Sequence, residues 1–181
     1  MPGLDTQVPR DPNIPAGTHW TDIAPPGSVV LMQQPPDQTV ALLGDIVATR
    51  YLKRGIRGVV VDGSVRDVVA CGEIARNAPA EQSFTIWSRA LSSVGTSLEA
   101  KPWAVDIPLI VGGVEVRAGD VLVADEGEGV ACVIPRDRFQ EVLKLLPKLK
   151  EADDGLLGDV QGGMGFGEAV GRWPGHYTNH K

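Results

Sequence analysis

Hydrophobic and polar positions divide the chain into segments of different period. "SVVLMQQ" is a short apolar run between "APPG" and "PPDQ", which predicts a strand followed by a turn. "LGDIVATRYLKRG" sets Ile46, Val47 and Tyr51 along one face and predicts a helix beginning near Gly44. Arg50, Lys53 and Arg54 stand near its end, where cations suit the helix dipole, and Gly55 closes it. The next run, Gly58, Val59, Val60 and Val61, has no polar alternation and reads as a strand buried on both faces. Strand, helix and strand joined by short links predict a βαβ unit with two parallel strands.

A second helix, "RDVVACGEIARN", leads through "APAEQS" to the strand "FTIWSRAL". From Lys101 to Pro135 the pattern changes to short apolar runs broken by Gly-Gly, Ala-Gly-Asp and Gly-Glu-Gly, which predicts antiparallel hairpins. "RDRFQEVLKLLPKLKEADD" reads as an amphipathic helix interrupted by proline, with Phe139, Val142, Leu143 and Leu146 as its apolar stripe. The glycine-rich remainder predicts one short helix and a loose end. Residues 1–27 are rich in proline and glycine and read as a lead-in without long regular elements.

At 181 residues the chain is long enough for one domain with a substantial core. A net charge of -6 and a pI near 5.0 argue against nucleic-acid or anionic-membrane partners, which favour a basic face. No apolar run approaches the roughly 20 residues needed to span a bilayer, and "MPGLDTQVPR" lacks the apolar core of a signal peptide. Cys71 and Cys132 both lie in apolar surroundings without metal-site spacing, which predicts two buried, reduced thiols and a cytoplasmic protein.

Two stretches carry candidate chemistry. The helix starting at Gly44 leaves the amides of its first turn unpaired, a site suited to a carboxylate or phosphate. Alternatively, Gly44 is a tight-turn residue and Asp45 a first-turn acid that favours the dipole. In "VVVDGSVRD", Arg66 offers a planar fork for a carboxylate or carbonyl, and Asp67 a hard oxygen ligand of the kind Mg²⁺ or Mn²⁺ accepts. Here the alternative is a surface ion pair, or Asp67 as the N-cap of the following helix. Asp62 alone is as eligible as Asp67; beside "LLGDIV" it reads as a structural residue of the turn. His19, His176 and His180 fall in the lead-in and the tail and suit surface or packing roles. Asp120 and Asp125 read as turn formers, and no nucleophile elbow, Walker or dinucleotide fingerprint is present.

Taken in order, "LGDIVATRYLKRGIRGVVVDGSVRD", "WSRALSSVGT" and "IPLIVGGVEVRAGDVLVADEGEGVACVIP" closely resemble the RraA-like family, over roughly residues 13 to 152. That family includes 4-hydroxy-4-methyl-2-oxoglutarate aldolases with oxaloacetate decarboxylase activity, and "NIPAGTHWTDIAPPGSVV" is similar to its fungal branch. The resemblance implies an α/β fold, a swivelling-domain-like α/β/β/α sandwich that assembles as a homotrimer or higher homo-oligomer with sites at subunit interfaces. It implies a lead-in over 1–27, a catalytic domain over 28–152, and a C-terminal helix and tail over 153–181. Carried over residue by residue, Gly44, Asp45, Ile46 and Val47 would cradle the carboxylate of pyruvate or its enolate. Arg66 would stabilise enolate charge, Asp67 would hold Mg²⁺ or Mn²⁺, and Asp45 would orient a metal-bound water that shuttles a proton. A cation and a metal near the keto oxygen suit carbon–carbon cleavage beside a 2-keto acid, because the charge that develops is an enolate.

The chain departs from the family in two respects. Members usually carry a further N-terminal helix and strand, so this sequence reads as N-terminally shortened. "RNAPAEQSFTIW" is longer than its counterpart, and Val94 stands where some bacterial aldolases carry lysine. The expected activity is a metal-dependent lyase on a small 2-keto acid. The alternatives are a fungal biosynthetic enzyme repurposed on the same scaffold, which the longer "NAPAEQS" segment and Val94 favour, and a noncatalytic protein-binding regulator like the family's namesake ribonuclease inhibitor.

Overall fold

The computed structural model describes residues 6–178. Contacts gather into two compact units, one running to Ala118 and one from Gly119 onward. Chain length alone suggests one domain; the second unit arises because a hairpin and the helices after it contact mainly each other.

The first unit is built on β1 (Val29–Gln33), β2 (Ala41–Leu43), α1 (Asp45–Lys53), β3 (Gly58–Val65), α2 (Val68–Arg76) and β4 (Thr85–Leu91). Every pairing in its sheet is parallel, as the predicted βαβ unit requires. β4 runs along one edge of β3 from Gly58 to Val65, so β1 and β2 must share the other edge. β1 lies beside Gly58–Asp62, and β2 beside Ser64 and Val65.

Gln34 fills the junction between those two short strands. Its buried side chain accepts a hydrogen bond from the Ser64 N–H at 3.1 Å and donates to the Gln38 carbonyl at 2.9 Å. A side chain at Gly63 would collide with it, so the glycine inside β3 marks a close approach rather than a hinge. Asp62 likewise lies within β3 and not in a turn. Its carboxylate accepts from Gln33 Nε2 at 2.7 Å and pairs with Arg89, which leaves it a structural residue.

The helix-covered face of β3 presents Val59, Val61 and Val65, which pack with Leu43, Ala48, Tyr51, Ile56 and Phe84. Val60, on the opposite face, is only half-buried, so the apolar run is less fully enclosed than predicted. The lead-in is docked. Trp20 meets Tyr51 edge-on with centroids 6.2 Å apart, and Asp22 accepts from Arg50 Nε at 2.9 Å while its backbone carbonyl accepts from Arg54 at 2.7 Å. β5 (Leu109–Val111) and β6 (Val114–Val116) form a predicted hairpin around Gly112 and Gly113. Both glycines have positive φ, 58° and 81°, the backbone that a two-residue hairpin turn demands.

The second unit opens with the antiparallel hairpin of β7 (Val121–Asp125) and β8 (Val130–Ile134). Asp125 accepts from the Gly127 and Glu128 N–H groups, the turn-forming role expected of it, whereas Asp120 accepts from the Arg136 N–H across the hairpin, sixteen residues on. Cys132 on β8 is exposed, contrary to its apolar sequence context, because this two-stranded sheet pairs only with itself. α3 (Phe139–Gln161) carries Pro147 without ending and continues through Gly155, well into the predicted tail. Its fully covered positions are Ala152 and Leu156, with Leu145 and Leu149 half-covered, whereas Leu143 and Leu146 of the predicted stripe are exposed. α4 (Phe166–Arg172) and α5 (Gly175–Thr178) follow. A side chain at Gly155 would collide with the Trp173 ring, whose Nε1 donates to Asp159 at 2.8 Å, so the tail folds back on α3. His176 pairs with Asp153, and His180 lies outside the described residues. No helix among the described residues is long and apolar enough to cross a membrane.

The hydrogen bond from Arg50 holds the Asp22 carboxyl below its ordinary value of 3.8. A carboxylate with a depressed folded-state pKa contributes stability above its unfolded pKa and loses it as pH falls through the folded value. Asp22→Asn is therefore expected to lower the melting temperature at pH 7, with the difference from wild type shrinking below pH 3.8. A difference independent of pH in thermal melts would contradict the assignment.

Candidate functional site

The C-terminal end of β3 and the N-terminus of α1 meet through one backbone hydrogen bond, from Arg66 N–H to the Leu43 carbonyl at 2.9 Å. Gly44 caps α1 in extended conformation (φ -134°, ψ -170°), so glycine is required there for room and not for backbone freedom. An added Cβ would stand 2.6 Å from Asp67 Oδ2, 3.0 Å from Arg66 Nε and 3.1 Å from Arg66 Cγ. The side chains of Arg66 and Asp67 thus lie directly over the start of the helix. Arg66 Nη1 and Asp67 Oδ2 form an ion pair of 3.2 Å, each side chain about one-third exposed, 38% and 32%.

Asp67 precedes α2 in the N-cap position, yet its side chain makes no capping hydrogen bond. Its φ of 55° and ψ of 41° lie in the left-handed region, which aspartate tolerates better than most residues. The carboxylate is thereby released from capping and turned toward Gly44 and Arg66. The backbone still starts the helix, since the Asp67 carbonyl accepts from Cys71 N–H at 2.8 Å. Of the two bland alternatives, the ion pair exists and the side-chain cap does not.

The first turn of α1 carries the anion-binding potential of a helix start. The first intrahelical bond runs from Ala48 N–H to the Gly44 carbonyl, and the Ile46 N–H donates to Asp45 Oδ1 at 2.7 Å. One amide of the predicted cradle is therefore engaged by the chain's own carboxylate, which an incoming carboxylate would have to displace. The Ile46 side chain is 75% exposed at this edge, while Val47 packs against the core. Val94 flanks the same end of the sheet through its carbonyl, which accepts from Ala41 N–H at 2.9 Å, and Ser92 N–H binds the Val65 carbonyl at 2.9 Å. A shallow cleft of about 350 Å³ between α1 and α2 is lined by Asp45, Thr49, Leu52, Ala70, Glu73, Ile74 and Asn77. Its lining includes Asp45 but neither Arg66 nor Asp67, so within this chain the partly exposed pair stands on an open shelf.

Two supporting residues escape the sequence reading. Gln34 holds β3 at Ser64, two residues before Arg66, and the glycine at 63 inside a strand is the signal that something approaches closely there. Cys71 lies beneath the pair with its Sγ 3.5 Å from the Arg66 carbonyl. Burial raises its thiol pKa, and the carboxylates of Asp67 and Asp45 raise it further against the opposing effect of Arg66. Native protein treated with a thiol alkylator near neutral pH is expected to label at the exposed Cys132 well before Cys71. Peptide mapping that finds both modified at one rate would contradict this environment.

Comparison with known proteins agrees with this arrangement of elements. Residues 11–131 match the family model RraA-like, described as Aldolase/RraA. A protein of Halalkalibacterium halodurans named "Putative 4-hydroxy-4-methyl-2-oxoglutarate aldolase" is 34% identical over 131 residues, 72% of this chain and 57% of that one. One of the same name from Thermus thermophilus is 37% identical over 100 residues, 55% of this chain and 56% of its own. The chain thus spans little more than half the length of these relatives. Among solved structures, an uncharacterized protein from Pseudomonas syringae shares the fold, with a TM-score of 0.73 at 23% identity over 95% of this chain and 81% of that chain. Streptomyces coelicolor RraAS2, described as an unusual member of the RNase ES inhibitor RraA protein family, has a TM-score of 0.62 at 28% identity, covering 74% of this chain and 63% of its own. The mixed α/β architecture and the family match across two-thirds of the sequence agree: the chain belongs to the RraA-like family.

Proposed function

We propose that the protein is a divalent-metal-dependent lyase that cleaves a carbon–carbon bond of a 2-keto acid through a pyruvate enolate, of the 4-hydroxy-4-methyl-2-oxoglutarate aldolase or oxaloacetate decarboxylase type. The observation that carries this reading is the room left by Gly44, into which a guanidinium and a hard carboxylate are folded at a helix N-terminus. Relatives bearing the aldolase name support the substrate class.

Asp67 supplies one carboxylate, and no group of three or more His, Cys, Asp and Glu among the described residues is placed to enclose a metal. That donor set fits Mg²⁺ or Mn²⁺, which accept one or two carboxylates and keep waters, and does not fit a structural zinc cage. Asp67 would hold the ion, which when bound acts as a Lewis acid toward the keto oxygen. The amides of Asp45, Ile46 and Val47 receive the substrate carboxylate, with the Asp45 side chain leaving Ile46 N–H as it enters. Arg66 lies on the opposite wall and stabilises the negative charge that builds on the keto oxygen as the bond breaks. Asp45, once displaced from Ile46 N–H, would orient a water that carries a proton, released by the substrate hydroxyl in aldol cleavage or taken from solvent in decarboxylation, to the enolate carbon. No Schiff-base lysine takes part.

The open shelf suits closure by a second copy, in line with a homotrimer, since Ile46, Val68 and Val69 expose apolar surface around it. We place the reaction in the cytoplasm, on the two free thiols. A noncatalytic regulatory role has separate support in the likeness to RraAS2, although a protein-binding surface has no need of an arginine and an aspartate folded over a helix start.

Pyruvate release from oxaloacetate and from 4-hydroxy-4-methyl-2-oxoglutarate, measured with Mg²⁺ and with chelator, tests the reading. Chelation and Asp67→Ala are each expected to abolish turnover. Arg66→Lys should lower it by about 100-fold, the scale of losing one group that stabilises developing charge. Gly44→Ala should fold normally, yet lose activity as Asp67 and Arg66 are pushed off the shelf. Turnover without metal, or full activity in Asp67→Ala, would sink the mechanism; well-folded protein inactive on both acids would favour the regulatory or repurposed roles.

A further inference from the structure

α3 has two apolar faces, and the second has no partner among the described residues. Ala152 and Leu156 are buried under α4 and α5. On another side of the helix Leu143, Leu146, Leu157 and Val160 are exposed by 44%, 48%, 57% and 38%. At 3.6 residues per turn these four fall within about 100° of one another, and Lys150 and Asp153 share their sector. Both charged side chains reach solvent, being 75% and 59% exposed.

The order of residues along this face identifies what fits it. Leu143 and Val160 are equidistant from the midpoint between Glu151 and Ala152; so are Leu146 and Leu157, and so are Lys150 and Asp153. The face is therefore its own complement when reversed. Two α3 helices laid antiparallel about a twofold axis through that midpoint would set Leu143 against Val160, Leu146 against Leu157 and Lys150 against Asp153, each contact made twice. This is the isologous rule of a twofold interface, in which residue i meets j and j meets i. A parallel arrangement would instead oppose lysine with lysine and aspartate with aspartate.

We propose that the exposed face of α3 is a twofold docking surface whose occupant is the same face of a second copy of this chain. The seam between the outer pairs is about 26 Å long at the rise of an α-helix. The four apolar residues supply the attraction, while the exposed lysine and aspartate choose antiparallel register over parallel more than they add affinity. Within its own chain Lys150 bonds Asp154 at 2.7 Å and Asp153 pairs with His176, so the cross-axis pair adds to charges already held near the axis. The contact uses none of Gly44, Asp45, Arg66 or Asp67 and is independent of the proposed activity. It doubles whatever assembly the rest of the chain forms.

Sedimentation of the full chain, under reducing conditions that silence the exposed Cys132, tests the inference. Wild type is expected to reach twice the mass of its smallest species as concentration rises. Leu146→Glu should weaken that doubling by roughly tenfold or more, the effect of placing a charge in an apolar contact. Adding Leu157→Lys to the same chain should restore it, because antiparallel register sets each glutamate against the partner's lysine. Leu143→Glu with Val160→Lys is a second, separate pair, should circular dichroism show that Leu146→Glu loses helix. Mass doubling that is absent in wild type, that is untouched by Leu146→Glu, or that neither paired variant restores would overturn the proposal.

Discussion

β3 is one strand with two edges and three parallel neighbours, and the first unit depends on how that is resolved. β4 takes one edge from Gly58 to Val65, with one bulge between Val61 and Ser64, so β1 and β2 must meet end to end along the other. Two strand ends facing each other leave backbone donors without a ladder partner, and a buried unpaired N–H costs on the order of 1–3 kcal/mol. The side chain of Gln34 supplies the missing acceptor for Ser64, and Gly63 supplies the space it needs. Because β2 is thereby held beside the last residues of β3, the helix that follows β2 begins where β3 ends.

The candidate site is a direct product of that junction. Leu43 and Arg66 are joined backbone to backbone, which brings the start of α1 and the residues after β3 within side-chain reach. The missing side chain of Gly44 then decides what occupies the common space. Any other residue would push Asp67 and Arg66 outward; glycine lets them fold over the helix start. The left-handed backbone of Asp67 takes its carboxylate away from capping α2 and turns it inward. Such a conformation costs of order 1–3 kcal/mol and persists where surrounding contacts hold it. Here the Cys71 N–H bond to its carbonyl and the ion pair to Arg66 are those contacts.

The second unit follows a different logic. α3 runs through a proline and past two glycines because its covered side is anchored from the far end of the chain. Trp173 lies against Gly155, and Asp159 holds the indole N–H. A helix of this length has more circumference than two short helices can cover, and the residue left apolar on the open side is leucine or valine at four positions. An apolar face kept in solvent is costly, so its self-complementary order has a physical reason to exist.

Much of this was legible in the sequence. Local periodicity and turn chemistry gave α1, β3, α2 and β4, the double-glycine hairpin and the start of α3, since these depend on residues within four positions of each other. The pairing of "LLGDIV" with "VRD" was legible through resemblance, though the engagement of Ile46 N–H by Asp45 was not. Misreadings fell where a distant segment supplies the partner. The stripe of α3 shifted from Leu143 and Leu146 to Ala152 and Leu156 because α4 and α5 pack on its C-terminal half. Cys132 is exposed because a lone hairpin cannot bury both its faces. The sequence by itself determined most of the helices, strands and turns, and brought Gly44, Arg66 and Asp67 forward as candidate site residues. Only the tertiary structure decided that Gln34 completes β3, that Gly44 is needed for space, and that one face of α3 stays open, because each depends on contacts between segments far apart in the chain.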